Sequence, residues 1–457
     1  MLDKLKLLPR YFILVYLFLS GLSLSAQGSF FLKKNVSKKI NFEFVSNLII
    51  IPLEINDVTL SFILDTGVSK PILFNLSESD SVDLKNIKTF YLHGLGSEGK
   101  IKALRSSHNR LKIGDAVVVN QDLFVVYDKT IDFAPRLGVF VHGIIGYDIF
   151  KDFVVEVNYN SKYIRLHNHE GFKPRSSKKW KTIPINILGK KPYLDAKVAI
   201  NNSDEHVKLL IDTGSSDALW LFEDEEVGLT PNKDLTFDDY LGKGLSGTIY
   251  GKRSKVSSFK LSDFSLKGVN VAFPDSLSVD MTKVHKDRNG LLGGDILKRF
   301  NLFFDYRNEK LYLKKNSHYK DPFTYNNSGI VLEHNGTMFV EEAIRVPTTI
   351  SKNSVNNVSN NSVHVNYYIN HRIKVKPIYK IVEIRKSSNA YISGLRVEDI
   401  VISINGKPTY EYSFSEINEI LHDKTGKSLR LKIERRGVNM TFKFKLDDIF
   451  KKNELSN

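Results

Sequence analysis

The stretch Leu64-Asp65-Thr66-Gly67 returns 147 residues later as Ile211-Asp212-Thr213-Gly214. A second pair of segments keeps this spacing, because Gly143-Ile-Ile-Gly146 returns as Gly290-Leu-Leu-Gly293, and each begins 78 residues after its aspartate. A single Asp-Thr-Gly is a weak signal, since a given tripeptide is expected about once in 8,000 positions and can simply form a turn. Two copies at one constant offset, each with the same partner segment, indicate an internal duplication.

Each aspartate is predicted to begin a loop after a strand that leaves a hairpin. In the first copy two apolar, β-branched runs flank the turn Asn56-Asp57. The second copy repeats this plan with a longer turn, Asn201 to Asp204. After the glycine segments, residues 150–166 and 297–313 are alike and end in alternating runs rich in aromatic and β-branched residues, which predict further strands.

This constellation resembles the retropepsin/pepsin class of aspartic proteases, over residues 40–315 and with both lobes in one chain. The resemblance implies a mostly β, bilobal fold of retropepsin/pepsin-like β-barrel lobes, in which Asp65 and Asp212 are the catalytic pair. Two carboxylates that face each other share one proton, so one can act as general base on a water while the other donates a proton. The supporting residues that the resemblance implies are Thr66, Gly67, Thr213, Gly214 and Ser215.

These supporting residues have separate expected roles. The threonines are expected to form hydrogen bonds across the lobe interface, and the glycines to let backbone approach the carboxylates closely. Three positions after each aspartate the copies differ, with Val68 in the first and Ser215 in the second. Because pepsin-like enzymes place a hydroxyl there that bonds to the carboxylate, we expect Ser215 to make Asp212 the more readily ionised partner.

Two glycine-rich hairpin tips are expected to close over a bound peptide as flaps. Their glycines are Gly94, Gly96, Gly244 and Gly247. Tyr91 and Tyr250 lie near these tips. For each tyrosine two alternatives are equally open: contact with the substrate, or a position on an ordinary surface hairpin.

The end of the chain resembles a bacterial PDZ domain. The resemblance rests on Gly394-Leu395, Asp399 and the run Ile404-Asn405-Gly406-Lys407-Pro408, followed by an amphipathic helix at 413–422. It implies a domain that binds a peptide as an additional strand. The first strands of this domain are expected near Gly329 to Val346.

An Asn/Ser-rich stretch at 351–366 predicts an insertion or linker inside this part of the chain. The loop expected to hold a peptide carboxylate, Lys376 to Tyr379, lacks the usual glycine. Four roles of the PDZ domain therefore stay open: binding of peptide C-termini, binding of internal strands, docking on the protease lobes, and dimerisation.

The N-terminus predicts an export signal. Lys4, Lys6 and Arg10 precede an apolar run, and small residues follow around a cleavage site expected after Ala26. The run is shorter than the roughly 20 residues of a membrane-spanning helix, so a membrane attachment is expected only if the signal stays uncleaved. We expect an exported protein, periplasmic or secreted, from a Gram-negative bacterium.

The composition excludes several kinds of site. The 457 residues include no cysteine, which removes disulfides, thiolate metal sites and cysteine nucleophiles, and we expect no metal and no cofactor. The formal net charge is +15, but no dense basic run is interleaved with aromatic residues, so we expect no nucleic-acid partner.

We therefore predict a signal peptide at 1–26, an N-terminal aspartic protease lobe at 27–180, a C-terminal lobe at 181–325 and a PDZ domain at 326–450. The expected function is an aspartic endopeptidase that hydrolyses peptides or proteins with an activated water, while the PDZ module binds substrate or a partner peptide. The alternative is a non-catalytic exported peptide-binding or assembly protein that uses the PDZ groove. An enzyme restricted to one protein partner is a third hypothesis.

Overall fold

The computed structural model describes residues 28–76, 80–93, 100–127, 131–174, 177–244, 247–275, 287–352 and 363–452. The predicted signal peptide, the flap residues Gly94 and Gly96, and most of the Asn/Ser-rich stretch lie outside these residues. Among the described helices, none has the length and apolar character needed to cross a membrane.

The first lobe is built from short and medium strands with two single-turn helices. They are β1 (Ile40–Asn41), β2 (Glu43–Val45), β3 (Leu48–Ile55), β4 (Val58–Leu64), β5 (Ile72–Leu73), β6 (Lys88–His93), β7 (Lys100–Ile113), β8 (Ala116–Val125), α1 (Ala134–Leu137), β9 (Gly143–Ile145), α2 (Tyr147–Phe150), β10 (Val154–Asn158) and β11 (Tyr163–His167). Eight strands form one sheet in the order β2-β3-β4-β9-β5-β8-β7-β6. Strands β4 and β9 are parallel, with Leu64 beside Ile145, so the Asp65 loop starts next to the first glycine segment.

The second lobe repeats the plan of the first. Its elements are β12 (Lys181–Pro184), β13 (Asn186–Leu188), β14 (Lys191–Ile200), β15 (Ser203–Ile211), β16 (Leu219–Leu221), β17 (Phe237–Gly244), β18 (Gly247–Leu261), β19 (Phe264–Pro274), β20 (Gly290–Leu292), α3 (Gly294–Leu297), β21 (Phe300–Asp305) and β22 (Lys310–Lys315). The sheet order, β13-β14-β15-β20-β16-β19-β18-β17, matches the first lobe strand for strand. The parallel pair β15 and β20 corresponds to β4 and β9.

The hairpin before each aspartate has the same turn in both lobes. Asn56 and Asp57 have positive φ angles of 46° and 71°, and Asn201 and Asn202 have 47° and 66°, as a two-residue hairpin turn requires. The prediction of a longer second turn is therefore wrong. The extra residues extend the strand instead, because β15 starts at Ser203 and is two residues longer than β4.

Strands from both lobes meet in a six-stranded sheet of order β1-β11-β10-β21-β22-β12. At its centre β10 pairs with β21, with Val155 opposite Phe304. One cluster of buried apolar side chains extends through this sheet into both lobes. Because the lobes share a sheet and a core, their relative position is set by buried contacts rather than by a linker.

The C-terminal domain has its own core and its own sheet. Its elements are β23 (Ile330–Lys352), β24 (Val363–Ile384), α4 (Asn389–Ile392), β25 (Ile400–Ile404), β26 (Lys407–Pro408), α5 (Phe414–Leu421), β27 (Ser428–Arg435), β28 (Val438–Lys445) and α6 (Ile449–Lys452). The sheet order is β23-β24-β25-β27-β28, so β23 is an edge strand. The 3-10 helices of the described chain are His169–Gly171, Lys233–Leu235, Ser317–Lys320 and Thr409–Glu411.

Helix α5 begins with a capping box, in which the Ser413 hydroxyl accepts the Glu416 N–H and the Glu416 carboxylate accepts the Ser413 N–H. The expected first strand lies where the sequence placed it, since β23 begins at Ile330. The carboxylate loop expected at Lys376 to Tyr379 is wrong, because these residues lie inside β24. Tyr379 faces His334 on one side and Val401 on the other, so its strand is paired on both edges.

Candidate active site

The two aspartates occupy equivalent positions at the ends of β4 and β15. The Asp65 N–H donates to the Ile145 carbonyl at 2.8 Å, and the Asp212 N–H donates to the Leu292 carbonyl at 2.9 Å. Each Gly-apolar-apolar-Gly segment thus holds the first residue of its own Asp-Thr-Gly loop. This explains why the two motifs keep the same spacing in both copies.

The threonines tie the two loops together across the lobe interface. The Thr66 hydroxyl accepts the Thr213 N–H and donates to the Ile211 carbonyl at 2.6 Å, while the Thr213 hydroxyl accepts the Thr66 N–H and donates to the Leu64 carbonyl at 2.7 Å. Both threonines are buried. Each hydroxyl therefore satisfies a donor and an acceptor of the opposite lobe, as the resemblance implied.

The glycines bring backbone against the carboxyl groups. The Gly67 N–H donates to Asp65 Oδ1 at 2.6 Å, and the Gly214 N–H donates to Asp212 Oδ1 at 2.9 Å. A Cβ atom on Gly214 would lie 2.4 Å from the Asp65 carboxyl carbon, and one on Gly67 would lie 3.0 Å from Asp65 Oδ1. Only glycine leaves room for the two carboxyl groups to approach each other here.

The two carboxyl groups are hydrogen-bonded to each other, and their environments differ. Burial, and after it the neighbouring Asp212 charge, together raise the pKa of Asp65 to about 8. Burial also raises the pKa of Asp212, but Arg288, the Gly214 N–H and Lys191 oppose this rise. These environments favour the protonated form at Asp65 and the ionised form at Asp212.

The environments favour ionisation of Asp212, the direction expected from the sequence. The expected cause, a hydrogen bond from Ser215, is wrong. Among the described residues, no hydrogen bond joins the Ser215 hydroxyl to Asp212. The Ser215 Oγ instead lies 3.1 Å from the position of a Cβ on Gly293, at the side of the second glycine segment. The charge of Arg288 and the hydrogen bond with Asp65 lower the pKa of Asp212, the effect that was expected of the serine hydroxyl.

The aspartates lie in a cleft of about 820 Å³ lined by both lobes and by the C-terminal domain. Of the predicted flap residues that the structure describes, Gly244 lines the cleft, and Gly247 is its pairing partner at the hairpin tip. The Tyr250 hydroxyl donates to Glu383 of the C-terminal domain at 3.1 Å. Tyr240, on the neighbouring strand, lines the cleft in its place.

Comparison with known families agrees with this geometry. A family model described as aspartyl protease matches residues 51–149 and again residues 196–296, and a PDZ domain model matches residues 380–435. Each protease lobe therefore matches the aspartyl protease family, and a PDZ domain follows the second lobe. No curated protein in the comparison matches it. The mostly β, bilobal fold and the family resemblance are thereby confirmed.

Sequence reasoning missed two basic residues that line the cleft beside the dyad, Lys191 and Arg288. Ile50 pairs with Ile63, and Tyr193 pairs with Leu210, the equivalent residue in the second protease lobe. Lys191, two residues before Tyr193, therefore takes the place that Leu48 has in the first lobe.

Arg288 corresponds in the same way to an apolar residue of the first lobe. Each lobe has a side chain that accepts a strand N–H just before the glycine segment: His142 bonds to Ser61 at 3.0 Å, and Asn289 bonds to Lys208 at 2.8 Å. Arg288, which precedes Asn289, thus corresponds to Val141. A residue-by-residue alignment of the two copies would therefore have shown that these two positions are basic in the second copy and apolar in the first.

The PDZ domain packs against the protease lobes at the cleft. One wall is formed by the start of β23, residues 330–332, and by the side of α5 that carries Phe414, Asn418 and His422. The edge strand and this helix flank the groove in which a PDZ domain adds a peptide strand. Here the groove faces the segment around α1 of the first lobe, where Arg136 forms an ion pair with Glu333 and Gly138 contacts Phe414.

Proposed function

We propose that the chain is an aspartic endopeptidase that hydrolyses peptide bonds with a water held between Asp65 and Asp212. The observation that carries this proposal is the arrangement of the dyad. The half-buried carboxyl group of Asp65 and the buried one of Asp212 are hydrogen-bonded to each other, the first favouring the protonated form and the second the ionised form. They lie in a cleft that is large enough for several peptide side chains.

The dyad can carry out both halves of the reaction. Asp212 takes a proton from the water while the water oxygen forms a bond to the peptide carbonyl carbon. In the same step Asp65 gives its proton to the carbonyl oxygen. The resulting tetrahedral species collapses when Asp212 gives its proton to the amide nitrogen and the carbon–nitrogen bond breaks. Asp65 then recovers a proton from the geminal hydroxyl as the new carboxyl group forms. The Gly67 and Gly214 N–H groups keep the carboxyl groups oriented throughout.

The test is a digestion of a diverse peptide mixture by residues 27–457, with the cleavage products identified by mass spectrometry. The proposal predicts cuts by the wild type that are absent with Asp65→Asn and with Asp212→Asn. Asn is close to isosteric with Asp, so both variants are expected to keep the fold while losing one acid–base group. Equal product sets from all three proteins would favour the rival function, a non-catalytic peptide-binding protein that uses the PDZ groove.

Export to the periplasm or beyond is part of this proposal. It is supported by the basic start, the short apolar run and the small residues before Gln27. N-terminal sequencing of the protein recovered from fractionated cells tests it. A mature chain that starts at Gln27 in the exported fraction is expected, and an intact N-terminus in the cytoplasmic fraction would contradict it.

A further inference from the structure

Two cations lie at the second-lobe side of the catalytic cleft. Lys191 is the first residue of β14, and Arg288 precedes β20 by two residues, so different strands bring them to one wall. Both residues line the same cleft as Asp65 and Asp212. In the first lobe Leu48 lines the cleft in the place of Lys191, and Val141, the counterpart of Arg288, is buried, so these two charges break the two-fold symmetry of the site.

Three other basic residues of the cleft have acidic partners, whereas Lys70, on the first-lobe side, has its Nζ over the Phe124 ring at 4.8 Å. Arg253 pairs with Asp217 at 2.7 Å, Lys298 pairs with Asp295 at 2.6 Å, and Arg136 pairs with Glu333. Within the described part of the chain, neither Lys191 nor Arg288 has a carboxylate within ion-pair distance. The acidic groups that act on Lys191 are the two aspartates of the dyad.

Arg288 is held rigidly although it lacks an ion pair. It is 7% exposed, its Nε donates to the Gly290 carbonyl at 2.9 Å, and its guanidinium lies over the Phe222 ring at 5.2 Å. Burial lowers the pKa of Lys191 and of Arg288, which reflects the cost of keeping both charges out of water. Pairing with an anion is most favourable for a cation that is already held in place and partly desolvated.

Counted over the dyad, Lys191 and Arg288 alone, the positive charges outnumber the negative ones by one. A dyad that shares one proton carries a single negative charge. Lys191 and Arg288 together carry two positive charges, so the site keeps one positive charge before substrate binds. Hydrolysis neither adds nor removes this charge, which leaves it available to the substrate.

We propose that Lys191 and Arg288 form a subsite for a substrate carboxylate next to the scissile bond, on the side bound by the second lobe. This inference rests on the proposed endopeptidase function. The carboxylate is that of an acidic side chain or that of a peptide C-terminus. Leu48 of the first lobe lines the wall equivalent to that of Lys191, so the opposite side of the scissile bond is expected to favour apolar side chains.

The test starts from a peptide that the wild type cuts and replaces each of the three residues on either side of the cut in turn by Glu or by Gln. The quantity compared is the ratio of kcat/KM for the Glu peptide to that for the Gln peptide. We expect a ratio of about 10 to 100 at one position. Versions with free and amidated C-termini distinguish a side-chain carboxylate from a terminal one.

The variants are Lys191→Met, Arg288→Gln and Lys191→Glu, with Lys190→Met as the matched control. Lys190 is the exposed neighbouring lysine, with its Nζ over the Tyr147 ring instead of in the cleft. We expect the ratio to fall to about 1 in Lys191→Met and Arg288→Gln and to remain unchanged in Lys190→Met. Lys191→Glu should invert the preference, toward Lys over Gln. Both kcat/KM values of a ratio are measured with the same variant. A substitution that changes the reactivity of the dyad therefore affects both values equally and leaves the ratio unchanged.

A ratio near 1 at every position, with both kinds of C-terminus, would overturn the proposal while leaving the endopeptidase function intact. If the wild type cuts no peptide, binding of the same Glu and Gln peptides to Asp65→Asn is measured by fluorescence anisotropy. Tighter binding of the Glu peptide that is lost in Asp65→Asn/Lys191→Met would support the subsite although the proposed reaction had failed. Equal binding would overturn the subsite as well.

Discussion

Thr66 and Thr213 exchange two equal hydrogen bonds, since each hydroxyl accepts the other residue's N–H at 3.0 Å. Each hydroxyl also donates to the carbonyl that precedes the opposite aspartate. Four buried backbone groups are thus satisfied by two side chains. The consequence is that the loops of Asp65 and Asp212 cannot move independently.

Replacing Thr66 by Val should destabilise the protein and misplace the dyad. The change leaves the Thr213 N–H and the Ile211 carbonyl buried without partners, at a cost of about 2–4 kcal/mol in the free energy of unfolding. Thr66→Ser keeps the hydroxyl and should cost about 1 kcal/mol or less. Thermal unfolding and kcat/KM of both variants check this. A loss in Thr66→Ser as large as that in Thr66→Val would contradict this account, because Ser keeps the hydroxyl.

The two loop glycines should differ in their tolerance of a methyl group. Gly214→Ala places its Cβ 2.4 Å from the Asp65 carboxyl carbon, whereas Gly67→Ala places it 3.0 Å from the nearest carboxylate oxygen. Displacing the Asp65 carboxyl group by about 1 Å should reduce kcat roughly 100-fold in Gly214→Ala. Gly67→Ala should show a smaller loss. The reverse order of the two activities would contradict this geometry.

The ion pair between Arg136 and Glu333 should hold the PDZ domain against the first protease lobe. Both side chains are about a quarter exposed, and the Arg136 guanidinium also lies over the Tyr240 ring of the second lobe at 4.4 Å. Glu333→Arg should therefore increase amide hydrogen exchange at α1 and at the start of β23.

The charge-swapped double variant Arg136→Glu/Glu333→Arg should restore part of the protection, because the pair is re-formed while the contact with Tyr240 is lost. Exchange that is unchanged in Glu333→Arg would mean that apolar contacts such as Gly138 with Phe414 suffice to keep the domains together.

The Asp65 carboxyl group should make stability depend on pH. Its pKa is raised to about 8, so the folded protein keeps a proton that the unfolded chain releases near pH 4. This contribution is complete below pH 4 and is lost as pH rises to about 8. Asp65→Asn removes the titrating group, so its stability relative to the wild type should increase between pH 4 and pH 8. Urea unfolding at pH 4, 6 and 8 measures the difference, and a constant difference would contradict the raised pKa.

The sequence was sufficient to predict the dyad and its loops because both are local motifs in duplicate. Asp65 and Asp212 are each fixed by the strand before them and by a glycine segment at a constant distance. The equal turns could have been recognised as well, because Asn201-Asn202 has the same residue types as Asn56-Asp57. The longer second strand concealed this likeness.

Other features depend on which distant residues meet in space. Lys191 and Arg288 are far apart in the sequence and come together through the order of β14, β15 and β20 in the sheet. The Ser215 hydroxyl was assigned from its position in the motif, but in the fold it lies beside Gly293. The carboxylate loop was wrongly expected at Lys376 to Tyr379, because the pairing of Tyr379 with His334 and Val401 joins residues that are distant in the sequence.

The central claim, that one protonated and one ionised aspartate perform the reaction, is tested most directly by the pH dependence of kcat/KM. A peptide identified by the digestion is assayed from pH 3 to pH 10 with the wild type and with Asp212→Asn. We expect wild-type turnover that persists through neutral pH and is lost as pH rises past about 8, where Asp65 loses its proton. Asp212→Asn should be at least about 1,000-fold slower at every pH. Turnover that survives in Asp212→Asn, or that increases between pH 8 and pH 10, would contradict the account.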